Sequence, residues 1–111
     1  MFKIHQGVKF VNIMFTSGKL GIDASGLFAP TVEEQANRSL LNVKAILEAA
    51  GFGMEDIVKT TVFLKDMNDF QAVNEVYASF FSEPYPARSA VEVARLPKDG
   101  RVEIEVVARK S

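Results

Sequence analysis

Residues 30–51, PTVEEQANRSLLNVKAILEAAG, and the stretch that follows at 57–64, IVKTTVFL, decide how this chain is read. Thr31 is a hydroxyl placed to cap a helix, and Glu34, three residues on, completes a capping box. Ala36, Leu40, Val43, Leu47 and Ala50 then recur at helical spacing until Gly51 stops the run. From Ile57 the period changes to two. Val58, Thr60, Val62 and Leu64 share one face, and Ile57, Lys59, Thr61 and Phe63 the other, as a β-strand requires.

Outward from that helix–strand pair the same two periods recur. On the N-terminal side, Phe10 to Ser17 is rich in β-branched and aromatic residues and reads as one strand covered on both faces, with a shorter strand before it from Phe2. Asp23-Ala24-Ser25-Gly26 is a turn. On the C-terminal side, Asn68 is placed to cap a second helix with the stripe Phe70, Val73, Tyr77 and Phe81. Ser89 to Leu96 reads as a buried strand. After Pro97-Lys98-Asp99-Gly100, a last strand sets Val102, Ile104 and Val106 against Arg101, Glu103, Glu105 and Val107. The order strand, helix, strand, helix, strand, strand implies an α+β fold, two helices covering one face of a single sheet. The other face, with Ile57, Phe63 and Val107, predicts association with further copies, because monomers seldom leave such a patch in water.

The 111 residues fit one domain spanning 1–111. Thirteen basic and fourteen acidic residues leave a net charge of −1 without long runs of either sign, so nucleic acid is not an expected partner. The absence of cysteine removes disulfides, thiolate metal sites and a cysteine nucleophile. No apolar run reaches bilayer length and the first residues lack a signal-peptide core, so a soluble, cytoplasmic protein with no membrane partner is expected. His5 is the only histidine and has no neighbour at ligand spacing; no metal and no cofactor are assigned.

The polar residues offer a short list of chemistry. Arg88 reads either as a salt-bridged surface arginine or, through its planar fork of donors, as the holder of a carboxylate. If the Val91/Val93 and Ile104/Val106 rows both face the helices, Arg88, Ala90 and Glu92 point away from them, as do Glu103 and Glu105. The two strands run antiparallel, so about six residues of offset keep Arg88 roughly 20 Å from Glu103 within one chain. One site using both must draw them from different subunits. Glu103 reads as a solvated strand carboxylate or as one that orients an attacking water. Ser17-Gly18 reads as a strand-ending turn or as a hydroxyl and amide facing a small ligand, and Asn74 as a structural amide. No nucleophile stands beside a base and no glycine-rich loop is present, so covalent catalysis and nucleotide binding lack support.

Gln6-Gly7, Thr16-Ser17-Gly18, Glu33-Glu34-Gln35, Asn42 through Gly51, Val58 through Phe63, Asn74-Glu75-Val76-Tyr77, and Pro86-Ala87-Arg88-Ser89 through Glu105 resemble the RidA family, also called YjgF, in register over nearly the whole chain. The resemblance implies a fold like that of the Bacillus chorismate mutase, a mixed sheet with two helices on one face, assembled as a homotrimer with clefts between subunits. It also implies that the last strand inserts between earlier ones. For activity it implies hydrolysis of reactive enamines and imines, such as 2-aminoacrylate and 2-iminobutanoate, to 2-oxo acids and ammonia. Carried over, Arg88 holds the substrate carboxylate, Glu103 positions water, the backbone around Ala90 helps bind, and Ser17, Gly18 and Lys19 line the cleft. The family commonly has tyrosine at Ile4, glutamine at Lys19, proline at Gly21 and cysteine at Ala90. Those departures raise the alternative of a non-catalytic trimer that binds small carboxylates; a role on translation or RNA is a further reading that the charge disfavours.

Overall fold

The computed structural model describes residues 6–110. Among the described residues six strands form one sheet: β1 (Gly7–Phe10), β2 (Ile13–Thr16), β3 (Lys19–Leu20), β4 (Ile57–Leu64), β5 (Ala87–Glu92) and β6 (Val102–Arg109). Two helices accompany it, α1 (Val32–Ala49) and α2 (Phe70–Ala78). The strands run β1-β2-β6-β4-β5, and β3 pairs with β6 below β2. β4 and β5 are parallel while every other pair is antiparallel, so the sheet is mixed and its last strand in sequence is central.

The core lies between this sheet and α1. Leu40, Val43 and Leu47 of the expected stripe are fully buried against Val102, Ile104 and Val106 of β6. Thr31 caps α1 as its spacing predicts: its hydroxyl oxygen accepts from the Glu34 backbone N–H at 3.1 Å, and the same hydroxyl lies 3.1 Å from the Glu34 carboxylate. No basic residue sits in the last turn of α1. Lysines from elsewhere serve there instead, Lys9 donating to the Ala50 carbonyl at 3.3 Å and Lys110 to that of Gly51 at 2.6 Å.

Four expectations change. The strand expected over Phe10 to Ser17 is a hairpin that turns at Val11 and Asn12, with Val11 at φ 55°. A valine there carries none of the usual turn signals. The turn is held from a distance, Asn12 exchanging bonds with Lys110 at 2.9 Å in each direction. Nor is that stretch covered on both faces, since Phe10 and Phe15 are exposed. The strand expected earlier, from Phe2, lies partly outside the described residues, as do Ile4 and His5.

In β4 a bulge between Ile57 and Lys59 moves Ile57 into the core and leaves Val58 outside. The uncovered face therefore carries Phe63 and Val107 without Ile57. Asp66, not Asn68, accepts the capping bond before α2, from the Asn68 N–H at 2.9 Å. The strand expected over Ser89 to Leu96 runs from Ala87 to Glu92 and is largely exposed, because it is the sheet's edge and only β4 flanks it.

Candidate functional site

The pairing of β5 with β4 overturns one premise about the site. Arg88 lies beside Thr60 and Ala90 beside Val62, both core residues, so Arg88 and Ala90 are on the helix-covered side of the sheet. Val91 pairs with Phe63 and faces the other way. Glu103 also pairs with Phe63, and so lies on the uncovered side. An edge strand that is open to solvent gives no hydrophobic pattern to reveal which way its side chains point.

The register also shortens the offset. Thr60 and Phe63 mark the positions of Arg88 and Glu103 along β4, three residues apart rather than six. That is about 10 Å along the strands, plus two strand spacings of about 4.8 Å. The two groups stay apart within one chain, now with the sheet between them.

Arg88 belongs to a cluster on α2. Its guanidinium carbon stands 4.9 Å from the centre of the Tyr77 ring and 5.2 Å from that of Phe70, and one of its N–H groups donates to the Asn74 side-chain oxygen. Tyr77 is itself pinned, its hydroxyl 2.8 Å from that of buried Thr60. Beside the cluster opens a cavity of about 330 Å³ bounded by Asn74, Tyr77, Ala78, Tyr85, Pro86 and Arg88.

Glu103 forms a second cluster with Gly18, Lys19 and Glu105. Burial is the main reason its carboxyl is held above the ordinary 4.5, Glu105 adds to the shift, and Lys19 opposes it. Burial likewise lowers the Lys19 ammonium below its ordinary 10.5, against the pull of Glu103. The Lys19 ammonium donates to the Gln6 side-chain carbonyl, and the Ser17 N–H to the Gln6 backbone carbonyl at 3.0 Å. Gly18 leaves room for the Glu103 carboxylate in its present place: a β-carbon there would lie 2.4 Å from one of its oxygens.

A row of polar side chains on α1, absent from the sequence-based list, places this second cluster. Ser39 donates to the Lys19 carbonyl at 2.7 Å, and Asn42 to those of Leu20 and Ile22 at 3.1 and 2.9 Å. Gln35, one turn earlier, donates to Ala29 and accepts from the Arg101 N–H. Their spacing of four and three residues beside the apolar stripe was the available signal. Among the described residues no group of three or more His, Cys, Asp or Glu gathers to hold a metal ion, and no helix is long and apolar enough to cross a membrane.

The comparisons with known proteins agree with this architecture. The Endoribonuclease L-PSP family pattern matches residues 3–110. A 2-iminobutanoate/2-iminopropanoate deaminase of Salmonella typhimurium is 55% identical over 107 residues, covering 93% of this chain and 84% of its own. The structure of E. coli TdcF with bound serine superposes with a TM-score of 0.95 at 48% identity, over 100% of this chain and 91% of that one. The YjgF gene product of E. coli does so with a TM-score of 0.94 at 51% identity, over 98% and 89%.

One mixed sheet with two helices on a single face, and a cation cluster and a carboxylate cluster on opposite sides of it, define an α+β protein with a divided polar site. The chain belongs to the Endoribonuclease L-PSP family, the RidA/YjgF family that its motifs resemble.

Proposed function

We propose that this protein hydrolyses reactive enamine and imine intermediates, 2-aminoacrylate and 2-iminobutanoate among them, to 2-oxo acids and ammonia. The observation that carries the reading is the 55% identity, across 93% of the chain, to a protein named for that deamination. The relative crystallised with serine shows that a similar chain accepts a small amino acid.

The two clusters suit the two halves of the reaction. Arg88 pairs with the substrate carboxylate, an interaction worth about 1.5–3 kcal/mol, while the backbone near Ala90 and the Ser17-Gly18 segment border the ligand. Glu103 holds a water against the imine carbon and takes a proton from it as the C–O bond forms and the C=N pair moves to nitrogen. Glu103 returns that proton to the amine nitrogen and then takes the hydroxyl proton as the C=O bond forms and the C–N bond breaks, so that the 2-oxo acid and ammonia leave. The imine carbon is already electrophilic, so the protein's task is mostly orientation. A carboxyl whose proton affinity is raised by burial is suited to take and give back that proton.

Within one chain the sheet separates these groups, so the proposal places each cleft between subunits of a homotrimer. Two features support contact between copies: the open outer edge of β5, and the uncovered face bearing Phe15, Phe63, Val91 and Val107. Binding without turnover is not favoured, since relatives at 54–55% identity carry the deaminase name. The experiment couples a threonine dehydratase to the protein and follows 2-oxobutanoate release. Equal acceleration by wild type and Arg88→Ala removes Arg88 from the mechanism.

A further inference from the structure

Phe70, Asn74 and Tyr77 stand at spacings of four and three residues, which places them on one face of α2. All three address a single side chain. The Arg88 guanidinium lies over two aromatic rings, and the Asn74 oxygen takes one of its N–H groups. Tyr77 cannot swing away without breaking its hydroxyl contact with Thr60, a fully buried residue that sits beside Arg88 in the neighbouring strand. The chain from β4 through α2 back to β5 is thus closed on itself. An arginine otherwise loses considerable side-chain freedom when a carboxylate captures it.

We infer that Asn74 and Tyr77 are positioning residues, which hold the Arg88 fork in its carboxylate-accepting orientation before any ligand arrives. The inference rests on the proposed role of Arg88 and extends it. Asn74 is neutral and accepts only one of the five N–H groups of the fork, so it orients the cation without cancelling its charge and leaves an edge free for the incoming carboxylate. A carboxylate at the same position would compete with the substrate. Helix α2 accordingly carries, on the turn facing Arg88, an amide where an acid would fit equally well.

The test measures steady-state deamination of 2-iminobutanoate, supplied by threonine dehydratase, with wild type, Arg88→Ala, Asn74→Leu, Asn74→Asp and Tyr77→Phe. Asn74→Leu removes the acceptor and is expected to raise KM about three- to tenfold, the cost of ordering one arginine side chain, with kcat within twofold and the melting temperature unchanged. Tyr77→Phe keeps the ring and frees it from Thr60, and is expected to raise KM by a smaller factor. Asn74→Asp is isosteric and folds even if the leucine variant does not; its KM is expected to exceed that of Asn74→Leu, because the new charge neutralises the fork. A merely structural asparagine would lower the melting temperature and leave KM alone.

Wild-type KM in both Asn74 variants, alongside a raised KM in Arg88→Ala, overturns the positioning role and spares the proposed function. Undiminished acceleration by Arg88→Ala overturns the positioning role together with the part given to Arg88, whereas no acceleration by wild type overturns the proposed function.

Discussion

Replacing Gly18 by alanine would move the Glu103 carboxylate without removing any charged group. The β-carbon of the new residue would lie 2.4 Å from one carboxylate oxygen, 2.6 Å from the carboxyl carbon and 2.9 Å from the γ-carbon of Glu103. An ordinary contact begins near 3.4 Å, so the carboxylate must retreat by about 1 Å. The atoms displaced belong to the end of a rotatable side chain on a half-buried residue, and the backbone need not shift. Stability should therefore stay within about 0.5 kcal/mol of wild type. Catalysis should not, because a displacement of about 1 Å in a group that places a reactant costs on the order of a hundredfold in rate, about 2.7 kcal/mol of barrier.

The assay is the coupled release of 2-oxobutanoate, with Glu103→Gln as the comparison and thermal melting as the control. Gly18→Ala is expected to approach Glu103→Gln in kcat. Wild-type kcat in Gly18→Ala together with a slow Glu103→Gln would refute the geometric argument. Wild-type kcat in both would remove Glu103 from the reaction.

The remaining expectations concern pH, packing and assembly. The folded state binds the Glu103 proton more tightly than the unfolded chain does, so its contribution is complete below the ordinary 4.5 and fades as pH rises through the elevated folded value. Wild type should therefore lose melting temperature relative to Glu103→Gln across that window, and parallel profiles would count against the shift. Gly21→Ala should cost about 1–3 kcal/mol in urea denaturation, because its β-carbon would come 2.4 Å from the backbone of Gln35; no loss would show that α1 yields there. Lys110→Met removes the charge at the end of α1 and should cost about 0.3–1 kcal/mol, less at high salt, with a salt-independent loss arguing against it. Phe63→Asp should shift the native mass to that of the 12.2 kDa chain; an unchanged assembly would place the subunit contacts elsewhere.

Where burial imposes a period, the sequence was legible. Leu40, Val43 and Leu47 in α1, and Val102, Ile104 and Val106 in β6, face the core as their spacing implies, because α1 and β6 pack against each other. Features set by a distant partner were not. The turn at Val11 depends on Lys110, almost the whole chain away, and the bulge at Val58 shifts the strand by a single residue. Arg88 and Glu103 could be singled out by residue type and resemblance. That they lie on different sides of the sheet could not, because β5 is an edge strand whose exposure is nearly uniform along its length.

The Arg88 cluster is built wholly from β4, β5 and α2, and the Glu103 cluster from β3, β6 and the Gln6–Lys19 segment, so damage to one leaves the other whole. In the proposed trimer, two inactive proteins need not stay inactive when combined. Unfolding Arg88→Ala and Glu103→Gln chains together and refolding the mixture should regenerate working clefts, wherever an undamaged arginine from one parent meets an undamaged glutamate from the other.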